Sequence, residues 1–438
     1  MRLEDYWGIG PKTSEKLRES MGVERALEAI ETADIRGLSD AGVPRGRAVR
    51  ILRRANGADG IETLGTRDAR DVYDDLLSLA STHAFTTHAA DRIRVLTPLP
   101  SADDRQQRLD RVSAARDVWI ELDDAERDAV QSAFDAYDDA GGSDRVAVET
   151  ALELRNAGLR GSTFSALDDL DDDALAAAAA ALGTVDPDGS VAPGSDAELD
   201  RLRERRNAVA DLERRALDVL ESVRERGVRS FEEFRGAFVA ATTDVPRGRV
   251  EGAVADDARD EADFASTSLR NLLSELDSAV DAREQTVAAD LRESVDEARQ
   301  DVDVAVSAVS EIAFDLSLGR FAAEHDLQRP DLVEDGLAVV GARNLALPGE
   351  VQPVTYAIGS HGLAGVNSGG SSDSQESPPS GDRVAVLTGA NSGGKTTLLE
   401  TLAQVALLAS MGLPVPAERA AVGRFDSVVF HRRHASFN

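Results

Sequence analysis

The stretch Thr388-Gly-Ala-Asn-Ser-Gly-Gly-Lys-Thr-Thr397 decides how the C-terminal part of this chain is read. Within it, Gly389, Ala390, Asn391, Ser392, Gly393, Gly394, Lys395 and Thr396 match G-x-x-x-x-G-K-[ST], a phosphate-binding loop pattern. The flanks suit such a loop. Val384-Ala-Val-Leu387 upstream reads as a buried strand, and Lys395 to Met411 downstream reads as an amphipathic helix. Asp426 to Phe430 reads as a further strand, so the order is strand, helix, strand, the start of an α/β unit. Glycines 389, 393 and 394 let the backbone curl so that its N–H groups face phosphate oxygens. The start of the helix adds positive potential. In this pattern Lys395 would neutralise the β- and γ-phosphates of a nucleoside triphosphate and Thr396 would hold Mg²⁺, with Thr397 closing the segment. The competing reading is a chance glycine turn, against which the order of flanking elements speaks.

Working outward, the flanks resemble one family. TGANSGGKTT is similar to the loop of the MutS ATPases, whose pattern is close to TGPNxGGKST. The paired glycines before the lysine separate it from transporter-type and chromosome-maintenance ATPases. Leu408 to Glu418 (LASMGLPVPAE) is similar to the family's LAQIG-x-x-VPA segment, and Ala421 to Asp426 looks like its strand entry IGxxDxI. Gly341-Ala-Arg343-Asn344 looks like a degenerate ARHP element. The resemblance covers about residues 336–438. It implies the N-terminal part of a MutS-type P-loop ATPase domain there, with ATP and Mg²⁺ as cofactors and double-stranded DNA as partner. It further implies a homodimer in the intact protein and a role in DNA repair or recombination, in which nucleotide state sets DNA clamping.

Departures from the family pattern accompany the likeness. Asn344 stands where the family has histidine, and the proline after it is missing. The asparagine expected near Pro353 is absent, Thr355 being the nearest polar side chain. No strand ending in Asp-Glu and no serine-rich signature follow the loop before Asn438. The expectation is therefore a chain interrupted inside its ATPase domain, with no catalytic residue beyond the loop. Two alternatives stay open: a DNA-binding or scaffold protein that binds ATP without hydrolysing it, and a coiled-coil partner that tethers an ATPase elsewhere.

Upstream, Asp186 to Ser195 (DPDGSVAPGS) reads as a linker and residues 360–381 as a disordered insertion. An alanine-rich helix, Leu175 to Leu182, is stopped by Gly183. Two long helices are expected, from about Asp196 to Arg226 and from about Ser268 to Phe314. Leu202, Val209, Ala216 and Val223 recur every seven residues in the first, and Val295, Val302 and Val309 in the second. An antiparallel arm over 196–314 with an arginine-bearing tip fits; two ordinary bundle helices are the alternative. Phe231-Glu232-Glu233 contains a Phe-x-Glu in the presumed tip, read as an ordinary sequence rather than as a wedge into DNA.

Residues 1–57 differ from the rest. They carry eleven basic and nine acidic side chains, a net of about +2, and Val43 to Arg54 holds five arginines and no acid. Trp7-Gly8-Ile9-Gly10-Pro11-Lys12-Thr13-Ser14-Glu15-Lys16-Leu17 resembles a helix-hairpin-helix element, and a looser copy runs from Leu38 to Ala48. Two glycines bring such a hairpin close to a DNA phosphate, and the next helix offers its N–H groups. The expected DNA contacts are Gly8, Gly10, Lys12, Thr13, Lys16, Gly42, Arg45, Arg47 and Arg50, with Arg53 adding charge. A helical protein-binding module with the same turn is the alternative.

The whole chain has 438 residues, 49 Lys+Arg against 80 Asp+Glu, a formal charge of −31 and 42 % apolar residues. Lysine occurs only at positions 12, 16 and 395. Carboxylate excess with little lysine suits a salt-loaded cytoplasm, where the Debye length is about 3 Å and self-repulsion is screened; the likeness is then of haloarchaeal type. An arginine-rich, acidic protein of ordinary habitat is the alternative. Zero cysteines exclude disulfides and thiolate chemistry. No run of apolar residues suffices for a membrane span and the first residues do not form a signal peptide, so a cytoplasmic location without membrane contact is expected. His431 and His434 have metal-pair spacing but read as surface, and no nucleophile elbow is present. The expected fold is multidomain and mainly α. It consists of the helix-hairpin-helix module (1–57), a helical core with its lever or coiled-coil arm (58–335), and the start of the α/β P-loop domain (336–438).

Overall fold

The computed structural model describes residues 2–184, 190–225, 228, 230–241, 258–349, 351–363, 383–386 and 394–431. It is mainly helical, with one small sheet, and falls into two compact units: Met1–Leu170 with Val304–Asn438, and Asp171–Asp303. Among the described residues no helix is long and apolar enough to cross a membrane.

The first unit opens with a 3₁₀ turn at Leu3–Asp5, then α1 (Pro11–Met21), α2 (Val23–Glu31), α3 (Ile35–Asp40) and α4 (Arg45–Glu62). Pro11 occupies the first helical position, where its missing N–H costs nothing. Asp34 caps α3, its Oδ1 accepting from the Gly37 N–H at 2.7 Å. Leu3, Ile9, Leu17, Ile30, Ile35, Leu38, Ile51 and Leu52 form a core of their own. α4 kinks at Gly57, where a Cβ would lie 1.9 Å from Thr97 Oγ1; only glycine admits that approach.

Next come α5 (Arg67–Ser81), α6 (Thr87–Arg94), α7 (Ala102–Glu121), α8 (Asp124–Asp139) and α9 (Asp144–Asn156). Each of α5 to α8 starts at a side-chain cap, Thr66, Thr86, Ser101 and Asp123, the last forming a reciprocal box with Glu126.

The second unit holds α10 (Asp172–Leu182), α11 (Ala197–Arg214), α12 (Ala216–Glu225), α13 (Phe231–Ala241) and α14 (Glu261–Glu297). α10 ends at Gly183. α11 and α14 run antiparallel, since Asp196, Arg203 and Arg206 meet Arg283, Glu284 and Asp277 along the pair. Leu202, Val209, Leu269, Leu272 and Leu276 fill the seam. The helix expected from Asp196 to Arg226 is thus two helices, broken at Arg215 with no glycine or proline to mark it. The helix expected from Ser268 starts earlier because Asp260 caps it, accepting from the Ala262 and Asp263 N–H groups. It breaks at Ala298 and resumes as α15 (Arg299–Glu324).

The first unit then resumes. Gly319 of α15 lies so close to α7 that a Cβ would stand 2.6 Å from the Ala115 carbonyl carbon. A four-stranded sheet has the order β1-β4-β2-β3, with β1 at Asp331–Leu332, β2 at Leu337–Ala342, β3 at Val354–Ile358 and β4 at Arg419–Val422. β1 and β4 are parallel, the other pairs antiparallel. α16 (Lys395–Ser410) joins the sheet, α5 and α15 in one core that includes Tyr73, Leu76, Phe314, Phe321, Val339, Leu407 and Val422.

Two expected strands are corrected. Val384 and Val386 are 80 % and 82 % exposed and outside any strand. Their alternation favours extended backbone, but a strand also needs a neighbouring edge, and none among the described residues pairs with 383–386. Asp426 to Phe430 is reduced to one parallel bridge, Val428 with Leu64. Its hydrogen bonds go to the turn between α4 and α5: the Val428 N–H to the Thr63 carbonyl at 2.7 Å and the Gly65 N–H to the Val428 carbonyl at 3.0 Å.

Candidate functional site

Gly394 is the N-cap of α16, with φ of 71° in the left-handed region, where a side chain would be strained. The Leu398 N–H bonds its carbonyl at 2.9 Å, so the helix is formed from its first turn. The N–H groups of Lys395, Thr396 and Thr397 stand at the positive end of the helix. Thr396 is exposed, while Lys395 and Thr397 are half-buried. Gly389, Ala390, Asn391, Ser392 and Gly393 lie outside the described residues, as does most of the insertion read at 360–381.

Behind this turn lies an amide pair that holds it. Asn344 is buried and donates from Nδ2 to the Thr397 carbonyl at 3.4 Å. Its Oδ1 accepts from Gln404 Nε2 at 3.0 Å and from the Ala346 N–H at 2.9 Å. Gln404 Oε1 in turn accepts from the Leu345 N–H at 2.9 Å. The residue that departs from the family pattern therefore ties the turn after β2 to the first turns of α16. Sequence reasoning missed Gln404, whose position in an apolar helix was the available signal. Thr355, the polar side chain noted near Pro353, accepts from the Gly341 N–H at 3.4 Å.

The N-terminal module brings several of its candidate residues together. Gly8 and Gly42 both have left-handed φ, 80° and 85°. Arg47 Nη2 donates to the Gly8 carbonyl at 2.9 Å, and Lys16 Nζ lies 3.9 Å from where a Cβ on Gly42 would be. The two turns are thus linked, each by a cation from the other half of the module. Gly10 caps α1 in extended conformation, with Lys12 and Lys16 exposed. Arg50 is also exposed, and its Nε donates to the Gly46 carbonyl at 3.1 Å. Arg45 is engaged elsewhere, 2.8 Å from Asp91, whose carboxyl is pushed up by burial and pulled back by Arg45 and Arg94. Thr13 is buried and faces the module core from the inner side of α1.

Other flagged residues resolve simply. Phe231 stacks edge-on against Phe264 with centroids 5.4 Å apart, beside Phe234 and Phe238, and so belongs to an aromatic cluster of the second unit. Arg224 pairs with Glu261 at 2.8 Å. His431 is exposed, and His434 lies outside the described residues. Among the described residues no group of three or more His, Asp or Glu could hold a metal.

No protein-family model matches the chain. Curated proteins do. The chain is 38 % identical over 128 residues to a DNA-binding protein MutS2 of Pyrococcus furiosus, a match that spans 29 % of this chain and 20 % of that protein. It is 31 % identical over 267 residues to a DNA mismatch repair protein MutS of Azorhizobium caulinodans, spanning 54 % of this chain and 26 % of the relative. A mismatch repair protein MutS of Natronomonas pharaonis is 31 % identical over 138 residues, 32 % of this chain and 14 % of its own. The matches thus span between about a seventh and a quarter of the relatives' lengths. They support a MutS-family relationship for the matched part.

Proposed function

We propose that the chain is part of a MutS-type, ATP-dependent DNA-binding protein of DNA repair. The observation that carries the reading is the loop Thr388 to Thr397 entering α16 at a left-handed glycine, in a chain whose relatives are named for DNA binding and mismatch repair. In this reading Lys395 neutralises triphosphate oxygens and the first N–H groups of α16 hold them in place. The Thr396 hydroxyl, which is exposed, orients Mg²⁺; bound Mg²⁺ supplies charge compensation for phosphoryl transfer to water. Asn344 and Gln404 tie the first turns of α16 to the turn after β2, so the helix end that would receive the phosphates keeps its place.

In the N-terminal module the linked turns at Gly8 and Gly42 act as a paired helix-hairpin-helix, with Lys12, Lys16, Arg47 and Arg50 at the DNA backbone. The α11–α14 pair serves as the arm whose position responds to nucleotide. The intact protein is a homodimer working at high salt inside the cell. Counterion release adds little there, which favours backbone-amide contacts over a broad basic patch.

The test is ATP binding by the full chain in molar KCl with Mg²⁺. Lys395→Ala is expected to weaken ATP at least about tenfold, the loss of a charge-assisted contact to phosphate. Unchanged affinity would remove the loop from the site.

A further inference from the structure

The surface between the first hairpin and α4–α5 holds a cleft of about 300 Å³, of whose lining the proposed function uses Arg50 alone. Four arginines line it, Arg50, Arg53, Arg54 and Arg70, together with Trp7, in a chain whose formal charge is −31. Two of the four are engaged in structure. Arg53 pairs with Asp74 at 2.7 Å and lies 4.8 Å over the Tyr73 ring, and Arg54 pairs with Glu62 at 3.1 Å. The other two are held only at the root of the guanidinium. Arg50 Nε donates to the Gly46 carbonyl at 3.1 Å and Arg70 Nε to the Leu64 carbonyl at 3.2 Å, which leaves their outer nitrogens uncommitted among the described residues. Both side chains are exposed.

Trp7 adds a second feature. Its indole is 57 % exposed, with Arg54 5.3 Å from the ring centroid. A tryptophan left this open gains little from burial, and it sits one residue before Gly8, the left-handed turn that would approach a DNA backbone. Uncommitted guanidiniums take phosphate oxygens in a fork. An exposed indole stacks on a planar ring, and base-on-aromatic stacking tolerates any base. Phosphate and planar ring together describe one nucleotide, and the cleft lies at the small end of ligand pockets, with room for a single such unit. A base inside a duplex has both faces covered by its neighbours, so the nucleotide must be unpaired.

We propose that this cleft receives one unpaired nucleotide of a DNA strand, its phosphate on Arg50 and Arg70 and its base on Trp7. The inference rests on the DNA-binding reading of the N-terminal module and adds a preference to it: ends, flaps, gaps or extruded bases over plain duplex.

The chain has two tryptophans, Trp7 and Trp119, so Trp119→Phe in the full chain leaves Trp7 as the reporter. That protein is titrated in molar KCl with a labelled blunt duplex, with the same duplex bearing a short single-stranded overhang, and with a free nucleoside monophosphate. Anisotropy reads DNA binding and indole fluorescence reads the cleft. The overhang is expected to bind about tenfold tighter than the blunt duplex and to quench Trp7, in keeping with the worth of one stacked base. Arg70→Gln is expected to remove that preference and the quenching. Equal affinity for both duplexes, or an overhang preference that survives Arg70→Gln, would overturn the cleft while leaving duplex binding intact. Quenching by the free monophosphate alone would overturn the DNA-strand assignment. No binding of either duplex would overturn the underlying DNA reading and the inference with it.

Discussion

α16 and the α11–α14 pair are both helical, yet they are held in place by different forces. Two of the sixteen residues of α16 are charged, against ten of the eighteen in α11. Thr401 to Ala409 of α16 are buried without interruption, and its two buried polar residues, Thr401 and Gln404, both have internal hydrogen-bond partners. α11 instead buries one narrow stripe, Leu199, Leu202 and Val209, and lays charge over both flanks. Asp196 is at once the cap of α11 and the partner of Arg283, at 2.6 Å, and this contact holds its carboxyl down at about 2. A helix surrounded by apolar neighbours is insensitive to salt, whereas a two-helix seam flanked by ion pairs is not. The element nearest the phosphate loop is thus the one whose position least depends on solvent.

The largest effect that separates the two regions is expected from cavities. Leu407→Ala in α16 should cost about 3 kcal/mol, because close packing on all sides prevents collapse. Leu276→Ala in α14, equally buried but in a two-helix seam, should cost roughly 2 kcal/mol as the helices close up. Denaturant midpoints in molar KCl measure both, and equal losses would erase the contrast.

Next comes a buried charge in α15. Burial pushes the Asp315 carboxyl from its ordinary 3.8 up to about 6, against the pull of Arg111 at 3.7 Å. The folded state therefore holds this proton more tightly than the unfolded chain does. Its contribution is most favourable below pH 3.8, fades as pH rises towards about 6 and stays lost above it. The full swing is about 3 kcal/mol at most. Asp315→Asn is expected to flatten stability between about pH 4 and 6 relative to the parent chain; parallel pH profiles would contradict it.

Smaller again is the amide pair. Gln404→Leu strands the Leu345 N–H and leaves Asn344 Oδ1 with the Ala346 N–H as its one donor, and should cost about 1–2 kcal/mol, with weakened ATP binding as the sign that the first turn of α16 has loosened. Last is the arm. Arg206→Ala removes a pair with Asp277 at 2.8 Å whose partners are both about half exposed. It should cost under about 1 kcal/mol at low salt and nothing measurable in molar KCl. A salt-independent loss would show that the arm is held as α16 is.

The parts legible in the sequence are those governed by neighbours along the chain. The mainly helical character, the helix ending at Gly183 and the helix beginning at Lys395 all follow from propensity, caps and stops within a few residues. What escapes depends on partners far away. Val384 and Val386 have strand composition, but pairing is decided by an edge elsewhere. Val428 finds its partner at Leu64 rather than in a sheet. Asn344 reads as a damaged motif in sequence, and its partners far along the chain, Thr397 and Gln404, give it a role. At the candidate site, Lys395 and Thr396 are readable from spacing. The burial of Thr13 is not, because which face of α1 points inward depends on the helices packed against it.

The contact between Thr66 and Phe430 carries a consequence for biosynthesis. The Thr66 hydroxyl donates to the Phe430 carbonyl at 2.7 Å and accepts from its N–H at 3.1 Å, across 364 positions of chain. The apolar face of α5 just beyond it, Val72, Leu76 and Leu77, shares its core with residues between Leu402 and Phe430. At about 10 residues per second, that face emerges from the ribosome on the order of half a minute before those partners. During that interval the N-terminal module, with a core of its own, can already be folded, while the apolar stripe of α5 is covered only in part, first by Ile93, Leu96 and Val112 and later by Phe314 and Phe321. A cell that makes this protein must shelter the rest of the stripe for that time, and slowing synthesis downstream of α5 should raise the fraction lost to aggregation or degradation.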